Sequence, residues 1–292
     1  MKWNFLIPSK ILYQFSDLCL LPVMKRFILS LVASLTPVFA ELPQMSDSTP
    51  WLGYFVGWEK KSYDFGIGAD GESVMHLKEK GKRAGLRVVK VAYVVEENID
   101  GEWVRRRFLK EGGLESENEK GLEPKSSVVL VTTVTGGTKV EWTHTQVGGD
   151  FAIMPKLLEK TTENEIKIGV LFSTSQLYRI EEELDERELK KKVGGDQISG
   201  KRLKDGKKAR VRFYETDEDV LGEKYFKEGA SEIEVESERL VDSALKVANG
   251  SSKAGRIDIV NKGKLYSTIR LMWTANPEKL GEKGTYLTFG LE

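Results

Sequence analysis

Apolar and polar residues alternate with a period of two along much of this chain, and Gly-containing turn dipeptides break the alternation at intervals. That pattern constrains the fold more than any other feature. Tyr63 to Ala69 and Glu72 to Glu79 flank Asp70-Gly71. Leu86 to Glu97 faces Glu102 to Leu109 across residues 98–101. Ser127 to Thr135 and Thr138 to Val147 flank Gly136-Gly137. Such turns need positive φ, which glycine adopts without a Cβ penalty and aspartate tolerates in part. Glu165 to Ser173, Ala209 to Tyr214, Glu232 to Glu236, Arg256 to Val260, Lys264 to Trp273 and Thr285 to Leu291 add further strand-like runs.

Two segments follow a helical period instead. In residues 180–193 acids lead and bases trail, with Glu186/Lys190 and Glu188/Lys192 spaced i,i+4, and Gly194-Gly195 ends the run. In residues 238–248, Leu240, Val241, Ala244, Leu245 and Ala248 fall on one helical face, and Asn249-Gly250 can cap its end. The expected fold is mainly β: an antiparallel sandwich or two packed β units with two short helices. The units would be a β domain over 51–180, a helical connector over 181–200 and a second β unit over 201–292, or one continuous domain over 51–292.

The first 40 residues read as an export leader. Met24-Lys25-Arg26 precedes an apolar run from Phe27 to Leu35. Pro37 then breaks the helix, and Val38 and Ala40 stand at the −3 and −1 positions of a cleavage site. Residues 1–23 are an extended leader or the product of a start placed too early, 24–40 the signal peptide, and 41–50 a flexible lead. Cleavage after Ala40 would leave 252 residues with 41 basic and 44 acidic side chains, a net of −3, and would remove Cys19, the one cysteine. So balanced a charge offers no general attraction to nucleic acid, and a chain without cysteine forms no disulfide or thiolate site. The mature protein is expected in the periplasm or medium, with no stable membrane span.

No motif carries a named chemistry. Gly66-Ile-Gly68-Ala-Asp-Gly71 matches G-x-G-x-x-G, but the alternating residues after it favour a hairpin over the helix that a dinucleotide fold requires. Ser243-Ala-Leu-Lys246 matches S-x-x-K without the S-D-N and K-T-G elements that accompany it in penicillin-recognising enzymes. Asn249-Gly250-Ser251 fits a glycosylation acceptor. Arg105 to Arg107 lie on one strand and point alternately to opposite faces, which divides their charge. Of the two histidines, His76 sits among charged residues and reads as a surface group. His144 shares strand parity with Val140 and Trp142 and is the candidate polar site residue. No cofactor and no metal is implied.

Trp51, Tyr54 and Trp58 form the densest aromatic stretch and are the candidate ligand-stacking residues. The sequence points to an exported non-catalytic β protein, either a binding module or a structural part of an envelope or surface assembly. Its partner would be an envelope polymer, a glycan or a protein. The competing expectation is an exported hydrolase that uses paired carboxylates on a glycan.

Overall fold

Glycine and aspartate at tight turns set the topology of the first third of the fold. The computed structural model describes residues 54–68, 72–109, 114–116, 127–147, 150–180, 184–215, 225–241, 244–251, 253–261 and 264–291. Strands β1 (Tyr54–Glu59), β2 (Tyr63–Gly68), β3 (Glu72–Glu79) and β4 (Lys82–Ile99) run as an antiparallel meander. Lys80-Gly81 joins β3 to β4 with positive φ at both residues, and Asp100-Gly101 does the same between β4 and β5 (Glu102–Arg105). This mirror-image turn matches the right-handed twist of its strands.

Gly66 and Gly68 of the G-x-G-x-x-G segment lie on β2, which pairs antiparallel with β3, and residues 69–71, where the turn is expected, lie outside the described residues. Ile67 pairs with Ser73 and Phe65 with Met75, and the residues after the glycines are the strand β3.

The chain continues through β6 (Leu114–Ser116), β7 (Ser127–Thr133), β8 (Lys139–Val147), β9 (Asp150–Glu159) and β10 (Ile166–Thr174). Helix α1 (Glu186–Val193) follows. Asp185 accepts from the Glu188 backbone N–H at 2.7 Å, and the Glu188 side chain returns to the Asp185 N–H, a complete capping box. Then come β11 (Gln197–Arg202), β12 (Lys208–Arg212), β13 (Ala230–Glu236), β14 (Ala244–Asn249), β15 (Gly255–Ile259), β16 (Arg270–Ala275) and β17 (Leu287–Leu291).

The second expected helix is not formed. Residues 238–240 make a single 3-10 turn, and 244–249 are β14. β14 lies between β13 and β17, with Leu245 opposite both Val235 and Leu291. Leu245 and Val247 enter the core, so period two governs where the helical spacing also fitted. A strand that completes two ladders satisfies backbone groups that a helix there would leave unpaired. Lys246 consequently sits on a strand, and Ser243 lies outside the described residues.

The strands form one antiparallel sheet that curls into a half-barrel. One run pairs β1, β2, β3, β4, β10, β16 and β15 in that order. The other pairs β12, β11, β13, β14, β17, β9, β8, β7 and β6, and the two meet where Ala230 faces Ile257. Early and late segments interleave, since β4 pairs with β10 and β10 with β16, while β9 pairs with β17. The core lies on one face. Phe65 packs 5.0 Å from Phe151 and 5.2 Å from Phe289, Phe172 lies 5.2 Å from Phe289, and Tyr93 lies 4.8 Å from Trp142, all between ring centroids. No helix among the described residues is long and apolar enough to cross a membrane.

Candidate functional site

An aromatic side chain beside a hollow is the first place to look for ligand contact, and Trp103 provides one. It stands on β5, which among the described residues pairs with β4 alone, is 36% exposed, and borders a cleft of about 730 Å³. The first strand turns of β10 and β15, the end of β16 and the connection after β9 close around the same space. Leu157, Ile166, Leu203, Ala275 and Pro277 supply its apolar lining. Pockets of this size that combine apolar walls with a few polar groups are typical of ligand sites.

Local chemistry holds the walls in place. Glu97 is buried at the end of β4 and accepts hydrogen bonds from Thr162 Oγ1 (2.5 Å), Asn164 Nδ2 (2.7 Å) and Arg106 Nε (2.6 Å). The backbone N–H of Asn98 donates to the Glu165 carbonyl at 2.9 Å. These bonds pin the 160–165 connection and the chain beyond β5 to one carboxylate. The donors, Thr162 first and then Asn164, hold that carboxyl down at about 2. On the opposite wall, Asn249 donates to the Gly255 carbonyl at 2.7 Å and accepts from Trp273 Nε1 at 2.5 Å. The Asn249 amide is thus committed inside the fold. A Cβ on Gly255 would stand 2.6 Å from the Thr274 carbonyl oxygen, so the cleft floor requires glycine there.

Charge in the cleft is mixed. Lys167 alternates with the buried Ile166 and Ile168, so it faces away from the core, and its ammonium lies 3.5 Å from the centroid of the Trp103 ring. Lys160 and Lys253 are exposed on the lining, as are Glu165 and Glu278. Arg256 is ion-paired with Asp258.

Of the residues singled out in the sequence, His144 lies outside this cleft, and the aromatic stretch is described only in part. Trp51 is outside the described residues. Tyr54 and Trp58 lie on β1, opposite Gly68 and Phe65, and only their backbone is described. His144 is a core residue, 1% exposed. Its Nδ1 approaches the Val128 carbonyl at 3.3 Å, which can only accept, so Nδ1 carries the proton. Nε2 then accepts from the Tyr93 hydroxyl at 2.6 Å, and the Ser73 hydroxyl donates to Tyr93 at 3.0 Å. Burial drives the imidazole pKa down to about 4, and it pushes the Tyr93 phenol up. This Ser–Tyr–His chain is sealed from solvent, and no carboxylate among the described residues joins it.

His76, read as a surface group, is buried at 3% exposure. It faces Asp64 across β2 and β3, and Asp64 pairs with Lys78 (2.5 Å) and Arg83 (3.0 Å). Of its charged neighbours in sequence, Lys78 is itself buried and paired with Asp64, while Glu79 and Lys80 are exposed at the end of β3 and on the turn beyond. Burial first, and Arg83 second, lower the His76 pKa to about 4. Arg105 to Arg107 do separate: Arg106 binds Glu97, Arg105 reaches the Tyr93 carbonyl, and Arg107 is exposed.

No cluster of three or more His, Cys, Asp or Glu suited to a metal occurs among the described residues. Trp103 and Lys167 were not anticipated as a pair. They lie on strands more than sixty positions apart, and their meeting depends on β4 lying between β5 and β10. The chain matches no protein-family model and none of the curated proteins with which it was compared.

Proposed function

We propose that this chain is an exported, non-catalytic binding module that seats its ligand in the cleft beside Trp103. The observation that supports it is the partly exposed indole, held by Lys167 next to an apolar lining. An aromatic face in such a setting offers stacking area without a large entropy cost to the side chain. Both histidines lie in the buried interior, which favours ligand holding over acid–base chemistry. The export part of the reading rests on the leader ending at Ala40, which lies outside the described residues.

Two measurements test it. N-terminal sequencing of the protein from fractionated cells is expected to return Glu41 as the first residue in periplasm or medium. Retention of Met1 in the cytosol would remove export. For binding, the protein and its Trp103→Ala variant are screened against soluble polysaccharides, with released reducing ends followed in parallel. Binding that Trp103→Ala weakens, without product release, is the expected result. Glu165 and Glu278 share the cleft and keep a second reading open, a carboxylate hydrolase. Product release abolished by Glu165→Gln or Glu278→Gln would establish that reading instead.

A further inference from the structure

The cleft reading can be taken one step further, to the chemistry of its occupant. Lys167 is half-buried, and its ammonium rests on the Trp103 ring without an ion pair among the described residues. Glu96 lies directly across from it on β4, and Glu165 precedes it by two residues on the same strand side, yet neither forms a salt bridge with it. Lys160 and Lys253, on two other walls, also form none among the described residues. The fourth base of the lining, Arg256, is satisfied by Asp258.

The lining thus holds three ammonium groups without an ion pair among the described residues, against two carboxylates. Its two carboxylates, Glu165 and Glu278, are solvent-exposed like Lys160 and Lys253, so water screens these four alike and the half-buried Lys167 leaves the cation in excess. Lys167 is the least hydrated of the set and stands at the aromatic wall, where an occupant would lie.

Resting on the cleft reading, we propose that the ligand is an acidic polysaccharide. The apolar face of a sugar ring packs against the exposed part of Trp103 and the Leu157 and Pro277 side chains. Its carboxylate or sulfate substituents meet Lys167, Lys160 and Lys253. A neutral glycan would leave the lysines unanswered, and a small inorganic anion would leave the apolar lining and most of the about 730 Å³ unfilled.

The test is titration calorimetry on the protein expressed from the full-length chain. The probes are polygalacturonate (carboxylate), dextran sulfate (sulfate) and neutral dextran. At least one acidic polymer is expected to bind about tenfold or more tighter than dextran, and to weaken as salt rises from about 20 to about 300 mM. The two acidic probes tell carboxylate from sulfate recognition. The double variant Lys160→Gln/Lys253→Gln is expected to reduce acidic-polymer binding about tenfold. Its unfolding midpoint is expected to match the parent, since both side chains are exposed and make no ion pair among the described residues. Lys167→Met, which keeps the stem against Trp103, gives the same direction.

Dextran binding that equals acidic-polymer binding, lost in Trp103→Ala but unchanged in the lysine variants, would overturn the acidic class and leave the cleft reading intact. Binding insensitive to Trp103→Ala, or none to any of the three polymers, would overturn both.

Discussion

Glu97 shows how one side chain can hold a site it does not enter. It gathers donors from Thr162, Asn164 and Arg106, which belong to the connection before β10 and to the chain after β5. Its folded pKa, about 2, lies below the ordinary carboxylate value of 4.5. Its stabilising effect is therefore complete above about pH 4.5 and disappears as pH falls toward 2. Glu97→Gln keeps an acceptor but removes the charge, and should destabilise the fold at pH 7 by about 2 kcal/mol. Urea midpoints at pH 7 and pH 3 check this: the variant should start lower and lose less on acidification. Equal midpoints at pH 7 would show that the carboxylate is not a structural tie. Arg106→Lys should retain part of the effect, because a point charge replaces the guanidinium fork.

At the level of elements, some segments declare themselves locally and others only in the sheet. Helix α1 was readable because its capping residue, leading acids and trailing bases all lie within a few positions of each other. The hairpins at Asp100-Gly101 and Gly136-Gly137 were readable because positive φ is a local demand. β14 was not. Leu240, Ala244, Leu245 and Ala248 fit a helical face, and the deciding fact is distant: β13 and β17 each offer a ladder to the same segment. β11 gave even less signal, with Ile198 the only buried residue among its six.

The cleft was also out of reach of the sequence. A lone tryptophan after a turn looks like any other, and its exposure goes with β5, all four residues of which are exposed and which among the described residues pairs with β4 alone. Glycine at position 255 makes the same point in reverse. Gly255→Ala places a Cβ between two strands and should destabilise by about 2 kcal/mol while also disturbing the cleft. Gly195→Ala, with open space around its Cβ, should stay within about 0.5 kcal/mol of the parent. Similar losses in both variants, read from denaturant midpoints, would mean that the close approach at Gly255 is not restrictive.

Across the whole molecule, the buried histidines give the half-barrel a defined response to acid. His144 sits at the β7–β8 side of the core and His76 across β2 to β4, so the two sample separate parts of the sheet. Burial leads the shift in both, and each has a folded pKa of about 4 against an unfolded 6.5. Between those values the unfolded chain takes up protons that the folded chain refuses, so stability must fall as pH drops from about 6.5 to about 4. The Asp64, Lys78 and Arg83 group around His76 keeps a positive charge beside that imidazole and works in the same direction.

The Glu97 contribution starts to fade only near the lower end of this range, so two acid-sensitive windows are expected in sequence. Unfolding midpoints from pH 7.5 to pH 3 should trace both. His144→Gln can still hydrogen-bond to Tyr93 and should be less stable than the parent at pH 7.5. It should also show a shallower decline between pH 6.5 and 4, because one of the two titrating groups is gone. An unchanged slope in that variant would mean that the imidazole is not held neutral by the core.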